Sequence, residues 1–391
     1  MDLGEREAAR IFHTYKRLPL EIDHGEGMYL FARDGTRYLD MFAGIAVNAL
    51  GYGHPAILRA IEEQARKYIH LSNYFLQEPQ IALAEMLLDA SGFARVFFGN
   101  SGTEAIEGAL KIARKWGADR GKQEVFALSN AFHGRTMGAL SVMDRPKYRE
   151  GFEPFLPHCG VVEFNDVAAL HKSVTTRTAA VIVEFIQGEG GIRPVSTAFV
   201  DALRYLQESF GFLLIADEIQ SGIGRTGKFF AYQHFDIRPD IVVVAKPIGG
   251  GLPLGAILGS AAIADVLAPG VHGTTFGGNP VACAAGAAVL REVRNGLMQN
   301  AETMGALLRS RLLDIARSFP AIVRDVRGKG LMLGMELDRE GDQIVTAMRD
   351  RKILINCTER TVLRFVPPLI IREAHIEETA GTLKEVLGSL H

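Results

Sequence analysis

The 391-residue sequence has few cysteines, one tryptophan, almost no net charge and no long apolar run. Its three cysteines, Cys159, Cys283 and Cys357, lie far apart with no CxxC pair, and no histidines cluster at zinc-ligand spacing. These absences argue against a disulfide framework and against a metal site, and a reducing, cytoplasmic setting fits best. Lysine and arginine number 43 against 45 acids, a formal charge of −2. That near balance leaves no broad basic field to draw in nucleic acid or an anionic membrane. No apolar stretch reaches membrane-spanning length. The N-terminus, MDLGEREAARIF, mixes Glu5 and Glu7 with Arg6 and Arg10 and lacks the apolar region of a secretory signal, while its acids disfavour a mitochondrial presequence. No internal repeat and no low-complexity tract is present. What remains is a soluble globular chain whose partners are small molecules or a second copy of itself. Its length is past the size at which single cores split, so two unequal domains are expected.

Short runs rich in Val, Ile and Phe alternate with helical periodicity from about residue 95 to 260, the pattern of βαβ units around a mostly parallel sheet. The runs are VFF (96–98), EVFALS (124–129), AAVIVEF (179–185), FLLIADE (212–218) and IVVVAK (241–246). Between them Ile106, Leu110, Ala113 and Gly117 recur at helical spacing, as do Phe199, Leu203 and Leu206. Beyond about 285 come helix-rich segments and short strands at GLMLGMEL and VLRFVPPL, which predict a smaller C-terminal α/β domain (286–391) beside a large one (51–285). Residues 1–50 hold a hairpin-like GMYLFARDGTRYLDMF with an Asp34-Gly35 turn and are expected to pack with the smaller domain.

Ligands of open α/β sheets collect outside the carboxyl ends of the strands, and every strand end here carries polar residues that a core does not need. Lys246 closes the aliphatic run IVVVA and precedes Pro247 and a glycine triplet. It is either a lysine snorkelling out of a strand end or a buried amine with a lowered pKa that can attack carbonyl compounds. Asp217 closes FLLIAD. A buried carboxylate there needs a cationic partner, either a core arginine or a protonated ring nitrogen. Asn100-Ser101-Gly102-Thr103-Glu104 opens a helix after a strand, as a plain N-cap or as a phosphate seat. Phe132 suits a core position or a stacked ring. Arg364, amid apolar neighbours, is either a strand-edge side chain facing water or a carboxylate clamp. The segment Gly222 to Lys228 matches GxxxxGK, but Phe229 stands where Ser or Thr is needed and no helical pattern follows, so a nucleotide-phosphate loop is not expected.

Taken in order, FFGNSGTEAIEGALKIAR, AFHGRT, VEFIQGEGG, LLIADEIQSGIGRTGKFFA, VVVAKPIGGGLPLGA and HGTTFGGNPVACAA resemble the class III aminotransferases, in their acetylornithine/ornithine aminotransferase branch. The resemblance runs from about Tyr15 to Pro368. It implies the aspartate-aminotransferase fold, fold type I, with pyridoxal 5'-phosphate as cofactor and a homodimer with shared active sites. It further implies Lys246 as the residue joined to the cofactor and as proton shuttle, Asp217 on the ring nitrogen and Gln220 on the ring hydroxyl. Ser101, Gly102 and Thr103 would cradle the phosphate, Phe132 would stack on the ring, and Thr275 would reach the neighbouring subunit's phosphate. On the substrate side, Arg364 would clamp the α-carboxylate of glutamate, Arg135 and Tyr15 would hold the carboxylate end of the ornithine-type substrate, and Thr274 would lie beside it. Glu189 would act as a gate, pairing with Arg364 when the ω-amino substrate is bound.

Two positions depart from the family pattern: Ile106 replaces an asparagine, and Pro247 replaces an alanine and biases Lys246 to an extended backbone. Gly44 and Ile45 stand where ornithine δ-aminotransferases carry tyrosine, which favours N2-acetylornithine as amino donor and 2-oxoglutarate as acceptor, a step of arginine biosynthesis. Ornithine, succinylornithine, 4-aminobutyrate or an acetylated diaminopimelate precursor are the alternative donors. A cofactor-dependent aminomutase is a further alternative, one that the Arg364 and Glu189 pair disfavours.

Overall fold

The computed structural model describes residues 3–389. Its centre is a seven-stranded sheet in the order Arg95–Gly99, Gly255–Gly259, Ile241–Val244, Leu213–Asp217, Thr178–Val183, Glu124–Leu128, Cys159–Val162. Five of the seven coincide with the apolar runs of the sequence. Gly255–Gly259 runs antiparallel to both its neighbours, and the other pairings are parallel. The three inner strands 178–183, 213–217 and 241–244 are buried at every residue, as continuous β-branched runs in a sheet covered on both faces must be.

The helices that cover it have readable causes. Gly102–Ala118 begins at Ser101, whose hydroxyl accepts the Glu104 N–H (3.2 Å), and buries Ile106, Ala109, Leu110, Ala113 and Gly117. Ile106 is thus a core residue. Thr197–Phe210 buries Phe199, Leu203 and Leu206, starts at the Ser196 cap and stops at Gly211 in the left-handed conformation.

A second, four-stranded antiparallel sheet has the order Val323–Lys329, Met332–Leu337, Val362–Phe365, Asn356–Thr358. The helices Met298–Ser318 and Glu373–Gly388 lie against each other beside it. Near the N-terminus, Tyr29–Ala32 and Arg37–Asp40 form the hairpin read from the sequence, with Gly35 at φ +82° and the Thr36 N–H donating to the Asp34 carboxylate (2.9 Å). Arg37–Asp40 then pairs in parallel with Ile353–Leu354, which joins the two ends of the chain in one small sheet. No helix among the described residues is long and apolar enough to cross a membrane.

Candidate active site

The carboxyl ends of five strands of the large sheet meet at one cavity of about 450 Å³. From them come Asn100 to Thr103, Phe132 to Arg135, Glu184 and Glu189, Asp217 and Gln220, and Lys246. The convergence follows from strand direction: four of these strands pair in parallel, and Arg95–Gly99 runs the same way because Gly255–Gly259 stands antiparallel between it and Ile241–Val244, so all five ends share one edge.

Lys246 has φ +47°, a left-handed conformation rare outside glycine. The extended backbone expected from Pro247 is therefore not what the chain adopts. The strand 241–244 must turn at once into the short 3-10 turn Lys246–Gly249, and the strained residue is the one that faces the cavity. Burial drives the lysine's pKa down, against the pull of Glu189, Asp217 and Glu184 and with the push of Arg364.

Asp217 is 3% exposed, and its counter-group is a histidine rather than a nearby arginine. His133 Nδ1 meets Asp217 Oδ2 at 2.7 Å, and the Ile219 N–H donates to the other oxygen at 3.0 Å. Burial lowers the His133 pKa, but the bond to Asp217 and the charges of Asp217 and Glu184 outweigh it and leave it raised. Glu184, also buried, accepts the Phe132 N–H and the Gly188 N–H, each at 3.0 Å, and burial beside Asp217 raises its pKa.

The helix start at Ser101 seats against the sheet because Gly255 has no side chain: a Cβ there would stand 2.3 Å from the Ser101 carbonyl oxygen. Thr103 shares a hydroxyl hydrogen bond with Thr136 (2.9 Å). Gly134, at φ +128°, leaves the space that the Thr103 side chain takes. Phe132 also lines the cavity, with Tyr148 edge-on at 5.8 Å between ring centroids. The Arg135 guanidinium lies 3.6 Å from the centre of the Tyr148 ring.

Arg364 is 1% exposed, so it does not face water from a strand edge. Its Nη1 meets Glu189 Oε1 at 2.6 Å and Gln220 Oε1 at 3.3 Å, and its Nε donates to Asn356 Oδ1 at 3.1 Å. Burial pushes the Glu189 pKa up, but Arg364 first, then Lys246 and Arg145, reverse this and hold it low.

Three residues marked in the sequence lie elsewhere. Thr274 and Thr275 line a separate concavity with His70, Asn73 and Lys111. There Thr274 Oγ1 accepts from Asn100 Nδ2 and from the Gly277 N–H, both at 3.1 Å. Tyr15 is 73% exposed, away from the cavity, with Arg17 over its ring. Roles for Glu184, His133, Tyr148, Asn356 and Thr358 were not read from the sequence. The first two stood among its polar strand ends, and the others carried no signal. The GxxxxGK segment is a buried turn with no α-helix after it, and Arg225 within it bonds the Leu331 and Pro367 carbonyls. Among the described residues no group of three or more His, Cys, Asp or Glu is placed to hold a metal ion.

Comparison with known proteins gives the site its context. Residues 11–387 match the family Aminotransferase class-III. An acetylornithine aminotransferase of Aquifex aeolicus is 42% identical, covering 96% of this chain and 99% of its own. One from Caldanaerobacter subterraneus is 44% identical over 98% of both chains. Among solved structures, the ornithine aminotransferase of Toxoplasma gondii ME49 superposes with a TM-score of 0.95 at 31% identity, covering 99% of this chain and 94% of that one. A second structure of the Toxoplasma gondii ornithine aminotransferase, at TM-score 0.94 and 31% identity over the same shares, has PLP at partial occupancy in its active site. The fold is fold type I of the pyridoxal-phosphate enzymes, and the chain belongs to the class-III aminotransferases.

Proposed function

We propose that this transaminase moves the δ-amino group of N2-acetylornithine to 2-oxoglutarate, giving N-acetylglutamate semialdehyde and glutamate. The observation that carries the reading is the buried Arg364 paired with Glu189, a residue that lines the Lys246 cavity. One site must accept both a terminal amine with no carboxylate beside it and an α-amino acid. An arginine whose counter-charge can be withdrawn meets both demands. The acetylornithine aminotransferases among its relatives, at 42–44% identity, support the choice of donor.

The residues fit pyridoxal 5'-phosphate. The cavity has room for a small ring compound and a reachable amine, and one wall carries a buried carboxylate held by a histidine. Its far end is the start of a capped helix, where free N–H groups attract a phosphate. In this reading Lys246 is the attachment point, Asp217 meets the ring nitrogen, Gln220 the ring hydroxyl, Phe132 the ring face, and Ser101, Gly102 and Thr103 the phosphate. Once bound, the group supplies a carbonyl carbon for the amine and a charged ring that withdraws electrons. The chain does the rest. Lys246, freed once the substrate amine has taken its place and with a pKa lowered by burial, would take a proton from the carbon bearing the amino group and return it to the cofactor carbon that carried the carbonyl. Asp217 keeps the ring end charged, and His133 keeps Asp217 in place. Arg364 receives the α-carboxylate of glutamate when Glu189 turns away, and Arg135 receives the distal one.

Tyr15, Thr274 and Thr275 then act in a site completed by a second copy of the chain, Thr275 on the partner's phosphate and Tyr15 with Arg135 on the donor's carboxylate. Tyr74 (97% exposed), which lines the same concavity as Thr275, and the exposed Phe276 next to Thr275 in the chain provide apolar surface for that contact. On the same reading 51–285 is the cofactor-binding part and 286–391 the smaller part, with 1–50 docked on it. Light scattering is expected to give a dimer, and a fully active monomer would contradict this arrangement.

The decisive experiment compares kcat/KM for N2-acetylornithine, ornithine and 4-aminobutyrate with 2-oxoglutarate. N2-acetylornithine is expected to lead. If another donor led by more than about tenfold, roughly 1.4 kcal/mol of transition-state binding, the donor assignment would be wrong. Borohydride reduction and peptide mapping are expected to label Lys246, and a label elsewhere or none would sink the cofactor reading.

A further inference from the structure

The short strand Asn356–Thr358 supplies a second structural layer behind the Arg364–Glu189 pair. In the antiparallel ladder Asn356 stands directly opposite Arg364, and Thr358 stands opposite Val362. Paired residues and residues two apart share a face of a sheet, so Asn356, Thr358 and Arg364 point the same way. On the other flank Arg364 pairs with Gly334, which pairs with Arg327. This face carries the 188–192 segment. Thr358 Oγ1 donates to the Glu189 carbonyl oxygen at 2.5 Å, and Arg327 Nε donates to the Gly191 carbonyl at 2.9 Å. A Cβ on Gly334 would stand 2.9 Å from Ile192 Cβ, so the glycine leaves the room in which the segment lies down. From the other side Glu184 accepts the Gly188 N–H. The main chain is thus held at 188, 189 and 191, and what is left free at Glu189 is its side chain.

The polarity of the contacts to Arg364 is selective. Among the described residues three side chains bond its guanidinium: Asn356 and Gln220 are neutral, and only Glu189 is charged. A neutral acceptor fixes the Nε edge and leaves the positive charge uncompensated. A carboxylate at 356 would neutralise it permanently, and the α-carboxylate of a substrate would then gain little by displacing Glu189.

We propose that Asn356 and Thr358 are the positioning residues of this switch: Thr358 anchors the Glu189 main chain so that only its side chain swings, and Asn356 orients Arg364 without consuming its charge. The proposal rests on the reading of Arg364 and Glu189 as a gate, and the two can fail separately.

The test uses the holoenzyme and reads each half of the reaction alone, from the change in cofactor absorbance after mixing with glutamate or with N2-acetylornithine. Calorimetry gives the Kd of glutarate, a dicarboxylate that cannot react. Asn356→Asp is expected to raise the glutamate KM and the glutarate Kd by about tenfold or more, with a smaller change in the limiting rate and the donor half spared. Thr358→Val is expected to act in the opposite sense, slowing the donor half at least about threefold relative to the glutamate half. Thr358→Ser, which keeps the hydroxyl, restores the wild-type ratio. General loosening of the fold would slow both halves together and give no such opposition. The proposal is overturned if Asn356→Asp leaves glutarate binding within about twofold of wild type, about 0.4 kcal/mol, or if Thr358→Val and Thr358→Ser behave alike. Glu189→Ala separates the two layers. An unequal loss, greater in the donor half, upholds the gate whatever the 356 and 358 variants do, and equal losses in both halves remove the gate and this inference with it.

Discussion

At the scale of single residues, the site is a set of buried ionisable groups whose neighbours decide their charge. Glu218, next to Asp217 in the chain, shows this away from the substrate. It is 1% exposed and accepts the Ser221 hydroxyl (2.7 Å) and the Ala231 and Tyr232 N–H groups (2.9 and 2.8 Å). Burial nevertheless pushes its pKa from 4.5 up to about 7. A carboxyl raised in this way holds a proton in the folded chain that the unfolded chain has released. Its contribution to stability is therefore complete below pH 4.5 and is lost as pH rises towards about 7. We expect the difference in unfolding free energy between wild type and Glu218→Gln to shrink by about 3 kcal/mol across that window in urea titrations. A difference that stays flat with pH would refute the assignment. Residue identity at the strand ends was readable because an isolated Lys246 or Asp217 after five apolar residues is costly without a purpose. The partner was not: His133 is 84 positions from Asp217, and nothing local to either residue says that they meet.

At the scale of elements, strands and helices follow their hydrophobic periods, whereas the joints between them follow close contacts. The antiparallel strand Gly255–Gly259 had no signature of its own, being short with three of its five residues glycine or alanine, yet it places the phosphate end of the site. Gly255→Ala would set a methyl group 2.3 Å from the Ser101 carbonyl oxygen, and neither side of that contact is a flexible side-chain end. The expected cost is about 1–3 kcal/mol in stability, together with weaker retention of pyridoxal phosphate measured by dialysis and titration. Unchanged cofactor affinity would mean that the helix start does not depend on this approach. The turn at Ala43 to Ala46 is another such joint. Four successive residues have φ between +52° and +63°, and the buried Asp40 carboxylate holds the turn by accepting the Phe42 and Ala43 N–H groups and the Tyr52 hydroxyl. Gly44 and Ile45, read in the sequence only as a departure from ornithine-type relatives, sit inside it. No propensity predicts a left-handed run containing isoleucine, because the strain is sustained by tertiary bonds.

For the molecule as a whole, the question is what joins the large sheet to the C-terminal sheet that carries Arg364. Part of the answer is Arg225, fully buried within the GxxxxGK segment, which donates to the Leu331 carbonyl at 3.2 Å and to the Pro367 carbonyl. Gly330 packs its Cα face onto the main chain of Thr226 in the same contact. Replacing Arg225 with leucine orphans two buried carbonyls. A loss of about 2–5 kcal/mol is expected in urea unfolding, with a raised KM for glutamate because Arg364 follows in the same strand system. A loss below about 1 kcal/mol would show that the joint lies elsewhere. What resembled a phosphate loop is thus a strut between sheets, a role that follows from burial.

The sequence by itself determined the large parallel sheet, the helices that cover it and the strand ends where chemistry collects, because apolar periodicity and the cost of burying charge are local properties of the chain. Its ordered motifs also pointed to the family. Only the tertiary structure decided which groups face one another: His133 with Asp217, Glu189 with Arg364, Asn356 and Thr358 behind them, and the left-handed backbone of Lys246. Those pairings join residues of separate segments up to 175 positions apart, and their energies depend on distance and burial that exist only once the chain has folded.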